Sequence, residues 1–488
     1  MITNLRHTLL PLAAALLLTA CASTRVAPPS PVDAPAQFKE TGLWQRAAAP
    51  TTAVPDDWWT LFKDPVLDEL ERRLVVGNEN LKSLVAAVAS ARATLEASRS
   101  AMAPTLSAGL SATRSGTSST STSASGQNPD NNVSLAANAS WEVDLWGRLS
   151  QASSRAQALL QASADDLAAA RLSAEATLAQ TYFSLRTAEA QQLLLERSVQ
   201  AYQRSLELTQ ARYSGGVAAR TDVLQAQTQL KSAQAQAADL TAQRSQLEHA
   251  IAVLLGVAPS ALTNERTGTL AATLSAPESL PATLLERRPD IAAAQRRVAA
   301  AYAQIGVADA AFFPSLTLSA NAGYSQSSLA NLVSAPNLLW SLGSSLAESI
   351  FDGGQRRLAS AQARASADQA TSSYRQTVLT ALQEVEDNLV LADQLQLEVQ
   401  SQADALQSAQ RNLEITLDQY RAGTLSYLNV VIAQNAALTS ESSLLGVRNR
   451  QLAAVNQLLK NIAGRWQSIN DDQGPLPIDP AQAGAAVR

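Results

Sequence analysis

The chain has 488 residues, 16% of them charged, a formal net charge of −5, a single cysteine and two histidines, His7 and His249. An acidic balance argues against a nucleic-acid partner. One thiol, two histidines and no close acidic cluster argue against a metal site, a disulfide staple or a bound cofactor. Abundant Ala and few aromatics suit long helices packed closely through small residues.

Residues 1–20 carry Arg6, an apolar run from Leu9 to Leu18, and then Leu18, Thr19 and Ala20 before Cys21. That is a secretory signal ending in a lipobox. Its removal takes away one Arg and no acid, leaving −6. A diacylglycerol thioether and an N-acyl chain such as palmitate on Cys21 supply the two hydrophobic signals that stable anchoring needs. The plainer alternative is a signal peptide followed by a chance cysteine. Residue 22 is Ala rather than Asp, which by resemblance to Gram-negative lipoprotein sorting implies the outer membrane.

Residues 21–57 hold Pro28, Pro29, Pro31, Pro35, Pro50 and Pro55 and read as an extended tether. Trp58, Trp59 and Phe62 begin structure, and Asp64-Pro65 opens a helix to about Met102 with a break near Gly77-Asn78. Four alternating segments follow. In the first, Leu106, Ala108, Leu110 and Ala112 interleave with small polar residues; the second runs Val133, Leu135, Ala137, Ala139, Trp141, Val143 and Leu145, with Asp144 among its polar partners. The third is Leu316, Leu318, Ala320, Ala322 and Tyr324, and the fourth Leu338, Trp340, Leu342, Leu346 and Ile350, broken only by Glu348. A Ser/Thr-rich, almost uncharged loop, 115–126, joins the first two.

A tilted membrane strand needs only about 9–11 residues, so each segment can cross a bilayer. A soluble hairpin with one wet face is the alternative. The lipobox and the placement of Trp141, Trp146, Trp340 and Tyr324 toward segment ends favour the membrane. Open strand edges cannot exist in hydrocarbon, and four strands are too few to close a barrel, whose smallest membrane form has about eight. Several chains must share one barrel; three would give twelve strands.

The remaining pattern is helical. From Arg148 to Tyr213, and from Gly354 to Tyr420, no proline occurs. At ~1.5 Å per residue each stretch makes a rod of about 100 Å. Leu178, Thr181, Leu185, Ala188, Gln192, Leu195, Val199, Tyr202, Leu206, Thr209 and Tyr213 form a heptad seam. Return helices answer with Ala226, Leu230, Ala233, Ala237, Leu240, Arg244, Leu247, Ile251 and Leu254, and with Ala433, Ala437, Leu444, Val447, Ala454 and Leu458. Such a coiled coil alone is usually structural. His249 reads as a surface or seam residue rather than a ligand.

The whole unit is duplicated. Tyr213, Gly216, Asp222, Val223, Ala226 and Gln227 return 207 positions later as Tyr420, Gly423, Asn429, Val430, Ala433 and Gln434; Pro104 and Leu106 return as Pro314 and Leu316, and Leu145-Trp146 as Ile350-Phe351. A threefold assembly of such chains would look nearly sixfold.

On Trp58-Trp59, the Arg287-Arg288-Pro289-Asp290 run, the Phe351 to Arg357 corner and the two tip motifs, the chain resembles the outer-membrane efflux factor family, the TolC-like channel-tunnels, in their lipoprotein branch. The resemblance implies a mainly α fold with a membrane β-barrel, four strands per chain forming a twelve-stranded trimeric barrel continuous with a long α-helical periplasmic tunnel. In chain order the expected parts are a signal peptide (1–20), a lipidated tether (21–57), an equatorial segment and first helix (58–102), the first barrel hairpin (103–146), the first tunnel hairpin (147–255), an equatorial connection (256–287), a second-repeat helix (288–312), the second barrel hairpin (313–352), the second tunnel hairpin (353–463) and an equatorial tail (464–488). It also implies a homotrimer in outer-membrane lipid, a periplasmic adaptor and an inner-membrane pump of the resistance-nodulation-division type. No enzyme chemistry, metal or cofactor is expected.

Gly147, Gly353 and Gly354 are expected at the strand-to-helix corners. Gly216, Val217, Ala218, Asp222, Gly423 and Thr424 are expected, by the resemblance, to contact the adaptor, although the glycines also serve simply as helix caps. Motif correspondence places the periplasmic constriction at Leu428 and Ile432. The family's acidic ring is missing, since no Asp or Glu lies between Thr424 and Ser440, so an apolar constriction closing by dewetting is expected. Two rivals stand beside the channel: a periplasmic adaptor, with one helical hairpin and soluble β-domains, and a lipid-anchored structural coiled coil. The exported solute is not legible.

Overall fold

The computed structural model describes residues 57–116, 130–262, 266–267 and 288–462. Cys21, the signal, most of the tether, the Ser/Thr-rich loop beyond residue 116, most of 256–287 and all of 464–488 lie outside them. The described helices are α1 (Pro65–Gly77), α2 (Glu79–Ser100), α3 (Arg148–Ser214), α4 (Arg220–Leu254), α5 (Pro289–Ala310), α6 (Gln355–Arg421) and α7 (Tyr427–Ile462); the strands are β1 (Thr105–Ser115), β2 (Asp130–Val143), β3 (Ser315–Gln326) and β4 (Leu338–Ala347). Contacts divide the described residues into two units, one within 87–163 and 293–374 with all four strands, the other within 57–86, 164–292 and 375–462.

In the first unit the strands form one antiparallel sheet in the order β1-β2-β3-β4. Register aligns the faces: Leu106, Ala139, Ala320 and Leu342 make one row, while Ser107, Asn138, Asn321 and Ser341 make the next on the opposite face. Every strand therefore contributes most of its apolar residues to one side, as the alternation requires, with Leu339 of β4 on the other. The polar side is cross-linked by uncharged groups, including Ser111 Oγ with Ser134 Oγ at 2.8 Å, Ser325 donating to Asn132 at 2.7 Å, and Asn321 donating to Asn138. β1 and β4 are exposed along their whole length, and among the described residues each has one unpaired edge.

The ends of β2 and β4 correct the sequence reading. Leu145 and Ile350 lie beyond their strands, and so does Glu348, whose apparent break in the alternation disappears. Asp144 is a helix cap rather than a strand position. Its carboxylate accepts from the backbone N–H of Leu149 at 2.9 Å and of Ser150 at 2.8 Å, satisfying donors that open α3. Its hydrogen bonds to Ser150 and Leu149, aided by Arg148, outweigh partial burial and hold its carboxyl below the usual range. Asp352 performs the same task for α6, accepting from Gly354 and Arg356 backbone N–H. Gly147, Gly353 and Gly354 take φ of +77°, +64° and +90°, which a side chain would resist.

The second unit is built on the aromatic turn Trp58–Phe62. Its rings pack with Leu67, Leu70 and Leu74 of α1, Leu178, Tyr182 and Leu185 of α3, Ile251 of α4, and Leu452, Val455 and Leu459 of α7. Fully burying each such side chain contributes about 1.5–3 kcal/mol. The expected break between α1 and α2 is a joint: Asn78 accepts from Leu81 N–H at 3.1 Å and donates to Leu254 O at 2.8 Å, so one amide caps two helices. Gly77 and Gly256 meet there so closely that a Cβ on either would lie 2.1 Å from a backbone oxygen.

The α3 seam is buried from Leu178 to Thr209 apart from partly exposed Thr181 and Val199, but Tyr213 at its end is exposed. Its duplicate Tyr420 is buried instead. Seam partners on α4 and α7 are buried largely as expected, and His249 is exposed. Beneath the seam runs a chain of charge. Tyr182 donates to Asp64 at 2.7 Å, Arg186 lies over the Tyr182 ring at 4.8 Å, and Glu189 accepts from Arg186 at 2.8 Å and Arg244 at 3.3 Å.

Candidate functional site

The two helical turns of the second unit end in the same motif. After α3, Gly216 N–H donates to Tyr213 O and Val217 N–H to Arg212 O; after α6, Gly423 N–H donates to Tyr420 O and Thr424 N–H to Gln419 O, at 2.9–3.0 Å throughout. These are Schellman caps, with Gly216 and Gly423 at φ of +74° and +78°. The duplicated glycines thus have a local cause. Asp222 sits in the first turn of α4, where the helix dipole favours an acid, and its duplicate Asn429 donates to Ser426 Oγ at 3.0 Å.

Duplicate positions diverge in their surroundings. Arg212, whose counterpart is Gln419, donates from Nη1 to Tyr420 O at 2.9 Å and covers the Tyr420 ring at 4.7 Å. A cation there also complements the carboxyl-terminal end of α6. Tyr420 and Tyr427 meet edge-on at 5.5 Å and are packed with Tyr202 and Leu206 of α3 and Ala226 and Leu230 of α4. Burial, then nearby Tyr420, pushes the Tyr427 hydroxyl up to about 12, so that hydroxyl stays uncharged at neutral pH. Sequence reading did not single out Arg212 as functional. Its only signal is its place one residue before the duplicated tyrosine.

The structure brings the two tips together through this knot. Gly216, Val217, Gly423 and Thr424 are exposed beside it, and Ala218 and Asp222 are half-buried. Leu428 and Ile432 lie one turn apart on α7, 51% and 59% exposed, opposite the buried Tyr427 and Val430. Among the described residues no contact gathers them into a constriction. The corner glycines belong to the other unit. Among the described residues no group of three or more His, Cys, Asp or Glu is placed to hold a metal ion, and no helix is long and apolar enough to cross a membrane.

The profile of the "Outer membrane efflux protein" family matches residues 72–257 and 280–464, one block for each copy of the repeat. The pyoverdine export outer membrane protein OpmQ of Pseudomonas aeruginosa is 31% identical, over 95% of this chain and 97% of its own. The solvent efflux pump outer membrane protein SrpC of Pseudomonas putida is 30% identical, over 83% and 86%. Among solved structures, the outer-membrane channel OprN superposes with a TM-score of 0.84 at 28% identity, covering 90% of this chain and 99% of that one. With duplicated helical hairpins, a four-stranded sheet and a match over both repeats, the chain belongs to the outer membrane efflux protein family.

Proposed function

We propose that the chain is the outer-membrane channel of a tripartite efflux system, passively conducting solutes from a periplasmic adaptor and an inner-membrane pump, of the resistance-nodulation-division type, to the exterior. Three copies close one twelve-stranded barrel, continuous with a helical tunnel, and Cys21 carries the lipid. The channel performs no covalent chemistry. The observation that carries this reading is the four-stranded sheet, apolar on one exposed face, with an unpaired edge at each side. In lipid those edges need partners. The names of the two relatives give pyoverdine and solvents as their cargo; for this chain drugs, solvents, metals and siderophores are all compatible with a passive duct.

Duplication supplies a template for the contact between copies. Within the chain, Trp146 donates to Pro314 O at 2.7 Å and stacks on Phe313 at 4.9 Å. Its duplicate Phe351 is 90% exposed and Ile350 96% exposed. Phe351 therefore packs on Ala103 and Pro104 of the next copy, the duplicates of Phe313 and Pro314. Cysteines at Phe351 and Pro104 together are expected to cross-link neighbouring chains, and each alone is not; cross-linking only within one chain refutes the assembly.

At the tips, Leu428 and Ile432 form the resting constriction, and Gly216, Val217, Ala218, Asp222, Gly423 and Thr424 meet the adaptor. Purified protein should migrate as a heat-stable trimer and give stepwise conductance in a planar bilayer. With no acid on the constriction, divalent cations and mild acid should change that conductance little. Strong cation block abolished by altering Leu428 or Ile432 but not Asp222 contradicts the apolar gate, and a non-conducting monomer contradicts the channel.

A further inference from the structure

Glu71 of α1 is fully buried among Leu67, Leu70 and Leu74, and neither carboxylate oxygen has a hydrogen-bond partner. We propose that Glu71 is a protonation-dependent clamp: as a neutral acid it lets α1 lie on α3, and as a carboxylate at alkaline pH it drives α1 from that core. The charges around it explain why. From α3 comes a second buried acid, Glu175, 3% exposed, whose charge is met by Arg171 at 2.8 Å. On α1 itself the ionisable group that acts on it is Asp68, whose own charge is favoured by Arg72. The aromatic turn offers this core Trp58, α4 and its cap Ile251 and Leu255, and α7 Leu452, Val455 and Leu459, none of which carries charge, while α3 adds Tyr182, whose hydroxyl donates to Asp64.

An ionised carboxylate without a hydrogen bond in such a core is strongly disfavoured, and a like charge beside it adds repulsion. Burial first, and Glu175 second, push the Glu71 carboxyl up from 4.5 to about 10. Because the folded value is the higher, the stability it contributes is full below about 4.5 and is lost as pH rises through about 10. Between those limits the folding equilibrium falls about tenfold per pH unit. This proposal is independent of the transport reading.

The test uses the full-length protein in detergent. Infrared titration should show a neutral carboxylic acid band at neutral pH, absent from Glu71→Gln and disappearing in the wild type near pH 10. The unfolding temperature should fall toward alkaline pH in the wild type and less steeply in Glu71→Gln. Glu175→Gln, which removes the repulsion but keeps Glu71, should move the band's midpoint to lower pH by making ionisation easier. That variant serves even if Glu71→Gln does not fold. A wild type without the band at neutral pH, an unchanged slope in Glu71→Gln, or an unmoved midpoint in Glu175→Gln overturns the proposal.

Discussion

Leu342→Arg is expected to abolish recovery of the trimer from the outer membrane, whereas Ser341→Arg, one residue earlier, is expected to assemble and shift the channel's ion selectivity. The two positions alternate along β4. Leu342 is exposed and continues the row Leu106, Ala139 and Ala320; Ser341 pairs with Asn321, whose amide donates to Asn138 on the polar side. If the apolar side meets lipid, an Arg near the middle of β4 costs about 2–4 kcal/mol, and a threefold barrel bears it three times. On the polar side the same charge stays in water and adds three cations to a wall of hydroxyls and amides. Trimer yield in membrane fractions and the reversal potential under a salt gradient read the two effects. Equal assembly of both variants would refute the assignment of faces.

Glu189→Ala is expected to destabilise the second unit by about 3–5 kcal/mol, the usual result of removing one partner of a buried ion pair. Glu189 is 1% exposed and faces Arg186, 2% exposed, as well as Arg244. Burial opposes the charge on Arg186, but Tyr182 and Glu189 outweigh it in the intact protein, and a guanidinium is too basic to lose its proton inside a protein, so the charge persists after the carboxylate is gone. Glu189→Gln keeps the shape and one acceptor and should cost less. Denaturant midpoints order the three proteins; a Glu189→Ala midpoint within error of the wild type would show that solvent reaches Arg186.

Most helix and strand boundaries were legible because they depend on neighbours in the chain. Alternation marked all four strands, a proline-free heptad seam marked α3, a proline-free run marked α6, and Gly216 and Gly423 marked their ends. The exceptions are instructive. Asp144 looked like one more polar-side strand residue because its role depends on the N–H groups of the following helix. Glu348 looked like a flaw because the end of β4 is set by the Asp352 corner rather than by loss of alternation. At the candidate site, the tip motifs were visible as a repeat. Nothing in a repeat shows that Tyr420 is buried under Arg212 while Tyr213 stays exposed.

The sequence by itself determined the period, length and duplication of the elements, and through the two-faced strands a sheet with one apolar and one polar side. Only the tertiary structure decided which polar groups are enclosed. That β2 pairs with β3, that Asn78 caps the far end of α4, that Asp64, Tyr182, Arg186 and Glu189 form one chain, and that Glu71 meets Glu175 depend on residues far apart in sequence. Hydrophobic periodicity reports which side of an element turns inward. The energy of a charge depends on what else lies within a few ångströms of it, and that is set only when the chain has folded.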